Sequence, residues 1–431
     1  MQVTINTVSE VQQEAEIELS STELQPHFEQ AYVKYRPKVE LKGFRKGKVP
    51  LEMIKKLYGE AIEQDALDTI AGEFYNKAME EKGIHPLGQP TMVDMNFKRG
   101  ENFRFKIKYE VKPAIELKKY KGVRVDRPIH KLTDDEVNAE IHHLQRVNST
   151  TSPAEKVTDA EYIVTADVQE LDETGTPMIG KKTPATPFYL ADETLTKEIK
   201  EALSNAELGG TYRARIQSHH DDHEHTMHLG FTVTKIEKVD LPAFNDELVK
   251  KITKEKVTSA DEFRKNLRTD LERYWDEQAD AKVKDALADE LVREHEFPVP
   301  DALVAGFLDS FVEDIKNKSE GRKLPKNFDE QQFRTESRPH AIWQAKWLLL
   351  KQRIAEAENI TVSDDDYEKL AETDAPKIGI DKARLLQYYK SSGGTGDRIL
   401  SDKIITFLKS AAKISDKVME ERSTHSHERE I

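Results

Sequence analysis

The sequence of 431 residues contains no cysteine. Disulfide bonds, thiolate metal sites and cysteine nucleophiles are therefore excluded, and a cytoplasmic location fits this composition. No stretch approaches the roughly 18 uncharged apolar residues of a membrane span, so we expect no membrane-spanning helix. The first residues lack a basic region followed by an apolar run, and the sequence therefore predicts no secretory signal.

Core-forming residues are also scarce. Hydrophobic residues make up 37% of the chain and aromatic residues 7%, against 34% charged residues. A chain of this length is too long for one core, and the length predicts roughly two to four domains. A small supply of apolar side chains over this length favours an extended molecule with long helices and much open surface.

Positive charge is in deficit overall, because the net charge is −14. An acidic surface repels phosphates, which argues against general nucleic-acid binding. The segment 34–56 is the exception, since it holds nine basic and two acidic residues and a net charge of +7. The sequence therefore predicts one basic element on an acidic protein.

Hydrophobic periodicity divides the chain into four parts. Residues 1–112 combine alternating strands, such as 103–111, with two helices, so we expect a compact α/β domain. Residues 113–155 predict a linker and one helix that starts at the capping box Thr133–Glu136 and joins the C-terminal body. Residues 156–240 predict a small β-rich domain. Residues 241–431 are nearly all helical, with a disordered polar tail from about 423.

The basic segment centres on a loop between the two N-terminal helices. Gly43 and Gly47 permit positive φ and a tight projecting tip. Arg45, Lys46 and Lys48 offer donors to phosphates or carboxylates, and Phe44 adds a stacking surface beside them. A solvated charged turn is the alternative interpretation of such a loop.

The stretch Gly43-Phe-Arg-Lys-Gly-Lys-Val-Pro50 resembles the signature loop of the bacterial trigger factor family, Gly-Phe-Arg-x-Gly-x-x-Pro. The order of the four parts is similar to that family from end to end. The resemblance implies a multidomain α+β protein with an N-terminal α/β ribosome-binding domain, an FKBP-like β-rich domain and an all-α C-terminal domain with extended helical arms. It implies an ATP-independent chaperone, without a cofactor, that shields nascent chains at the ribosomal exit tunnel.

The implied partners are the large ribosomal subunit, through an exit-tunnel protein and ribosomal RNA, and unfolded nascent polypeptides. A homodimer away from the ribosome is compatible with the resemblance, and no membrane partner is expected. Clients would be held by scattered apolar side chains of the helical half, for which the candidates are Phe307, Phe311, Trp343, Trp347 and Leu350. Inter-helix core is the alternative role of these residues.

The middle part departs from the pattern that the resemblance implies. The family's domain is a peptidyl-prolyl isomerase with an aromatic cup, yet Asp167-Val-Gln-Glu170 stands where the family has Asp-Phe-x-Gly. Phe188 and Phe231 remain as candidate catalytic-pocket residues, with ordinary core as the alternative. We therefore expect a degraded pocket, and an active isomerase stays as a second functional hypothesis.

A histidine-rich stretch from 219 to 228 follows in the same part. His219, His223 and His225 are candidate zinc or nickel ligands through their imidazole nitrogens. No fixed metal-site spacing is present, so a solvated polar hairpin is favoured and no metal is expected. A third functional hypothesis, a ribosome-assembly or RNA-binding factor, would use the basic loop without acting as a chaperone.

Overall fold

The computed structural model describes residues 1–192, 194–220 and 223–419. The chain divides into two compact units. The first combines Met1–Val125 with Val283–Ile414, and the second holds Asp126–Lys282 and the described residues from Ser415 onward. Helices account for 51% and strands for 23%, which confirms the predicted α+β class with a helical C-terminal region.

An antiparallel sheet of four strands forms the core of residues 1–112. Its strands are β1 (Gln2–Thr7), β2 (Gln12–Leu19), β3 (Leu87–Asn96) and β4 (Phe103–Glu110), in the order β1-β2-β4-β3. Ile17 lies opposite Phe105 in the register of β2 and β4. Both side chains are fully buried, because alternate residues of each strand face the helices. The alternating strand predicted over 103–111 is present as β4, whereas β1 and β3 had not been predicted.

Two helices cover this sheet. Helix α1 (Ser21–Tyr35) starts at a capping box in which Ser20 accepts from the amide of Glu23 and the Glu23 carboxylate accepts from that of Ser20. Helix α2 (Leu51–Lys82) follows Pro50 and ends at Gly83, whose φ is 64°. We term β1–β4 with α1 and α2 the head. Its core holds Leu24 and Leu67 from the helices beside the strand residues.

The second unit is built around a β-rich domain. After β5 (Arg124–Ile129) and α3 (Asp134–Val147) come β6 (Thr150–Pro153), β7 (Tyr162–Leu171), β8 (Pro177–Tyr189), α4 (Lys197–Leu203), β9 (Thr211–His220), β10 (His223–Asp240) and α5 (Asp246–Thr253). The antiparallel sheet has the order β6-β10-β7-β8, and β9 also pairs with β10. The β-rich character predicted for this part of the chain is confirmed.

Helix α3 is held on both sides within this unit. The Gln145 side chain donates to the Pro242 carbonyl at 2.7 Å, and His142 Nε2 lies 3.1 Å from a Glu161 oxygen. On the other side, Arg264 donates to the Asn138 side chain at 2.8 Å. The predicted capping box at Thr133 and Glu136 is present. Besides α3, the segment 113–155 contains β5 and β6.

Long helices make up the C-terminal part. They are α6 (Ala260–Glu294), α7 (Asp301–Lys318), α8 (Glu330–Glu358), α9 (Asp364–Ile378), α10 (Lys382–Ser391) and α11 (Gly393–Ala411), followed by β11 (Lys413–Val418), which pairs with β5. Helix α8 runs through Pro339 without a break. The tail expected to be disordered from about 423 lies outside the described residues. No helix among those described is long and apolar enough to span a membrane.

A buried histidine attaches the segment after the head to these helices. His295 is 2% exposed and follows α6. Its Nδ1 donates to the Leu291 carbonyl at 2.8 Å, and its Nε2 accepts from the backbone amide of Lys118 at 2.9 Å. Both ring nitrogens are therefore used by a neutral imidazole. Tyr120 adds a bond from its hydroxyl to Glu358 nearby.

We predict that His295→Ala lowers the free energy of unfolding of the first unit by about 2–4 kcal/mol. The change leaves a cavity and a buried Lys118 amide without its acceptor. The measurements are urea-induced unfolding and hydrogen exchange of residues 113–125, which we expect to become faster at Lys118.

His340→Ala is the matched control, because His340 is exposed on α8 and stacks on Phe311. We expect this change to cost less than about 1 kcal/mol. Unchanged exchange at Lys118 in His295→Ala would contradict the anchoring role of His295.

Candidate ribosome-docking loop

The basic loop connects α1 to α2 at one end of the head. A short 3-10 turn (Arg36–Lys38) follows α1, and the chain then runs without regular structure from 39 to 50. The residues 42–46 and Lys48 are exposed. The predicted connection between two helices is confirmed, and it presents the candidate residues Gly43, Phe44, Arg45, Lys46, Gly47 and Lys48 in one continuous stretch.

Two consecutive turns shape the loop. The Phe44 amide donates to the Leu41 carbonyl at 3.0 Å, and the Lys48 amide donates to the Arg45 carbonyl at 2.9 Å. Gly43 and Gly47 hold the third position of these turns with φ values of 96° and 73°. A turn with positive φ at its third position favours glycine, because a side chain there strains the backbone. The spacing of the two glycines therefore sets the spacing of the turns.

A small apolar cluster fixes the base of the loop. Val49 is fully buried with Tyr32 of α1 and Ile54 of α2. Val39 and Leu41, in the part of the loop that precedes Gly43, are partly buried against the same cluster. Since apolar residues lie before and after the glycines, both ends of the loop are held and the polar residues between them project into solvent.

The tip combines an exposed aromatic ring with cations. Phe44 remains 40% exposed. Lys46 lies 2.6 Å from a Glu40 oxygen, and this neighbour holds the pKa of the Glu40 carboxyl below its usual value. An exposed ion pair of this kind is weak and can exchange for another anion. Within the part of the chain that the structure describes, Arg45 and Lys48 form no ion pair.

A buried carboxylate connects the elements under the loop. Glu63 of α2 is 5% exposed and accepts a hydrogen bond from the Tyr32 hydroxyl. Arg99, from the turn between β3 and β4, lies 3.1 Å from the same carboxylate oxygen. Gly59 leaves room for this arginine, since a Cβ there would lie 2.9 Å from the guanidinium. Burial, and then the bond to Glu63, raise the pKa of Tyr32 to about 12.

The sequence did not indicate this network. Its members come from α1, α2 and a distant turn, and no local periodicity brings them together. The only local signals are a glycine inside a helix and a carboxylate one position after the buried Ile62. Neither signal identifies its partners without the fold.

The two candidate pocket residues of the β-rich domain lie in contact. Phe231 is fully buried in the domain core, and Phe188 packs against it edge-on with ring centroids 5.5 Å apart. Phe231 pairs with Val168 in the register of β10 and β7. These contacts are those of ordinary core residues, which was the alternative role considered for Phe188 and Phe231. The fully buried Phe231 ring does not face open space.

The histidine candidates are placed only in part. His219 lies in β9, and His223 and His225 lie in β10. The side chains of all three lie outside the described part of the structure. Among the described residues, no group of three or more histidine, aspartate and glutamate side chains is arranged to hold a metal ion.

The apolar candidates of the helical half are mostly covered. Leu350 is fully buried and Trp347 is 8% exposed. Phe307, Phe311 and Trp343 are partly buried against the cores formed by α7, α8 and their neighbours. Large exposed apolar side chains occur elsewhere in this half, at Ile378, Ile380 and Tyr388 of the α9–α10 region.

Comparison with known proteins agrees with this architecture. Residues 1–144 match the family model described as bacterial trigger factor protein, and residues 259–410 match the model of its C-terminus. The trigger factor of Salinibacter ruber is 30% identical, over 98% of this chain and 96% of the relative. The chain belongs to the bacterial trigger factor family. The member from Chlorobaculum tepidum is also 30% identical, over 96% of this chain and 98% of the relative.

A solved structure supports the fold independently. It is described as "Promiscuous Substrate Recognition in Folding and Assembly Activities of the Trigger Factor Chaperone". The likeness covers 95% of this chain and 99% of that chain, with a TM-score of 0.51 and 17% identity. At this identity the likeness establishes that the two proteins share the fold of the family.

We predict that Tyr32→Phe destabilises the head by about 1–3 kcal/mol at pH 7, because Glu63 loses a buried donor. The folded-state pKa of Tyr32, about 12, exceeds its ordinary value of 10. Its stabilisation is therefore complete below about pH 10 and is lost as the pH rises through 12. The difference in unfolding free energy between wild type and Tyr32→Phe should shrink by roughly 2 kcal/mol over that window.

Urea unfolding monitored at several pH values measures this difference. Tyr58→Phe is a control with the same chemical change, since Tyr58 is 38% exposed on α2. A wild-type-minus-Tyr32→Phe difference that stays constant between pH 10 and 12 would show that the Tyr32 hydroxyl does not support Glu63.

Proposed function

We propose that this protein is an ATP-independent chaperone of the cytoplasm that docks on the large ribosomal subunit through residues 43–48 and shields unfolded nascent chains. The observation that carries the proposal is the loop itself. It places an exposed aromatic ring and available cations at the end of the head, on a base that apolar contacts hold in position.

The charge distribution supports docking on a ribonucleoprotein surface. Arg45 can bind a phosphate or carboxylate with two parallel hydrogen bonds, and Lys46 can exchange Glu40 for a phosphate. Phe44 can stack on an unpaired base or fill an apolar recess of a ribosomal protein. The net charge of −14 disfavours binding elsewhere on RNA. Binding is therefore directed to the head.

Shielding of clients requires apolar surface that solvent can reach. Ile378 is 54% exposed, Ile380 41% and Tyr388 63%, all in the α9–α10 region. Covering such surface contributes about 25 cal/mol per Å² before the costs of ordering the client. Each single apolar side chain therefore contributes little binding free energy, so a client would be held by several such contacts. Because each contact is weak, the client would be released without nucleotide hydrolysis.

We predict that the triple variant Phe44→Ala, Arg45→Ala, Lys46→Ala binds ribosomes at least tenfold more weakly than wild type. The change removes the exposed ring and two cations and leaves the anchoring residues of the loop intact. Co-sedimentation of the full chain with purified ribosomes over a concentration series measures the dissociation constant.

Met92→Ala, Lys77→Ala, Lys82→Ala is the matched control. It also removes one exposed apolar side chain and two exposed cations from the head, but away from the loop. We expect its affinity to stay within twofold of wild type. A loop variant that sediments as well as the control would make the docking assignment wrong.

A ribosome-assembly or RNA-binding factor would pass the same binding test. Suppression of aggregation of an unfolded test protein separates the two roles, because only a chaperone needs exposed apolar surface. We expect the loop variant to suppress aggregation as well as wild type in the absence of ribosomes. Failure of the wild-type chain in this assay would favour the assembly factor.

We also propose that the β-rich domain contributes structure instead of catalysis. An isomerase must hold proline in a dry apolar cup to lower a barrier of roughly 18–20 kcal/mol. The support for the proposal is that Phe231 is buried and in contact with Phe188. Because the two rings pack against each other, they leave no space between them for a proline ring.

We predict that the full chain accelerates cis–trans isomerisation of a proline-containing test peptide less than twofold over the uncatalysed rate. A protease-coupled or NMR exchange assay measures the rate, with an active FKBP-type isomerase as the positive control. A catalytic efficiency close to that of the positive control would restore the enzyme hypothesis.

A further inference from the structure

A cleft on the β-rich domain has no part in the proposed docking or in the candidate isomerase pocket. Its volume is about 280 Å³, and it lies beside the turn that joins β7 to β8. Arg213 and Arg215 of β9 and His228 of β10 supply its polar side chains, together with Glu173 and Thr174 at the turn. Leu171 supplies an apolar wall.

The strand register explains why these groups meet. Arg215 pairs with His228, and His228 pairs with Leu171, so these three residues form one row across the sheet. Arg213 pairs with Gly230 in the next row. The two arginines are two positions apart on one strand, so they point to the same face with Cα atoms roughly 7 Å apart.

This face is the one opposite the domain core. Ala214, between the arginines, is buried in the core, whereas Arg213 and Arg215 are exposed. Gly230 has no side chain to fill the space over Leu171, whose methyl groups would lie 3.4 Å and 3.6 Å from a Cβ at that position. The cleft is therefore a depression with an apolar floor between two cations.

The cations of the cleft are available to a ligand. Among the side chains that the structure describes (residues 1–192, 194–216, 226–319 and 321–419), neither arginine has an ion pair, whereas 20 other lysines and arginines have one at 3.5 Å or less. The Arg213 guanidinium lies over the turn, close to Gly175. Its fork thus lies beside the turn at the mouth of the cleft.

The dimensions and chemistry favour a carboxylate on a peptide over a nucleic acid. A guanidinium binds a carboxylate through two parallel hydrogen bonds, and Leu171 can cover an apolar neighbour of the acidic residue. Single-stranded nucleic acid needs aromatic rings for stacking and a longer track of cations. No phenylalanine, tyrosine or tryptophan side chain among the described residues lines the cleft, and Glu173 at its rim repels a polyanion.

We propose that the cleft formed by Leu171, Arg213, Arg215 and His228 binds acidic side chains of extended polypeptides that carry apolar residues next to them. The arginines bind the carboxylate, the His228 ring offers a further hydrogen-bonding group, and Leu171 packs against the apolar neighbour. The site recognises a chemical class of peptide, and its existence does not depend on ribosome docking.

Fluorescence anisotropy with the full chain tests the proposal. The probe is a labelled peptide in which glutamate and leucine alternate, and the comparison peptide has glutamine in place of glutamate. We expect the glutamate peptide to bind at least tenfold more tightly than the glutamine peptide. Arg213→Gln, Arg215→Gln should weaken binding of the glutamate peptide at least tenfold and leave that of the glutamine peptide unchanged.

Lys238→Gln, Lys251→Gln is the matched control. It removes two exposed cations from the same unit, on β10 and α5, and should change the affinity less than twofold. Arg213→Lys, Arg215→Lys keeps the charge and loses the planar fork, so we expect an intermediate affinity. Circular dichroism of each variant checks that the β-rich domain remains folded.

Three outcomes would overturn the proposal. The first is equal affinity of wild type and Arg213→Gln, Arg215→Gln for the glutamate peptide. The second is an equal loss in the lysine control, which would indicate general electrostatic attraction. The third is displacement of the peptide by inorganic phosphate at concentrations where acetate has no effect, which would assign the cleft to phosphate. None of these outcomes bears on ribosome docking, which the co-sedimentation experiment tests separately.

Discussion

Burial of Val49 between the helices of the head is the contact on which the position of the loop depends. The backbone of residues 42–48 has two turn hydrogen bonds and no sheet or helix of its own. Its orientation therefore comes from its ends, where Val49 contacts the cluster of Tyr32 and Ile54. Tyr32 in turn donates to Glu63, which is also bound by Arg99. Apolar contact, a buried hydrogen bond and an ion pair thus connect the exposed tip to the turn between β3 and β4.

Burying the Glu63 carboxylate costs free energy, because the loss of its hydration opposes its attraction to Arg99. Removal of one partner costs more than the pair itself contributes, since an uncompensated charge then remains buried. This asymmetry makes the network sensitive to single substitutions at Tyr32, Glu63 and Arg99. It also gives α1, α2 and the β3–β4 turn one favoured arrangement, which a purely apolar contact among them would specify less strictly.

The sequence predicted those elements in which apolar residues recur regularly, every second residue in a strand or every three to four residues in a helix. The alternation of β4 and the spacing of α2 place their apolar side chains on one face, and the loop between α1 and α2 follows from these assignments. Strand β3 was not predicted, because most of its residues are exposed and it contains Gly88 and Pro90. The pairing of β5 with β11 joins distant segments. No local sequence pattern shows that β5 and β11 pair with each other. For the same reason, no local pattern shows that Tyr32, Glu63 and Arg99 interact.

The arginines of the β-rich domain show a further limit of sequence patterns. Arg213 and Arg215 alternate with apolar residues as on any half-buried strand, so no sequence pattern distinguishes them from residues of a solvated face. The cleft depends on Gly230 and Leu171, which the register of three strands brings beside them.

The acidic excess of the chain affects both cationic sites in the same physical way. At physiological ionic strength the field of a charge is screened over about 8 Å, so distant carboxylates have little influence on Arg45 or Arg213. What decides availability is the presence of a carboxylate within direct reach. Lys46 has one in Glu40 and must exchange it, whereas Arg45 and Arg213 have none among the described residues. An acidic surface with locally unpaired arginines can therefore repel anions in general and still offer a binding position at each of these arginines. If both proposed sites bind anions, their selectivity comes from the neighbours of each arginine, which are the exposed Phe44 at the loop and Leu171 at the cleft.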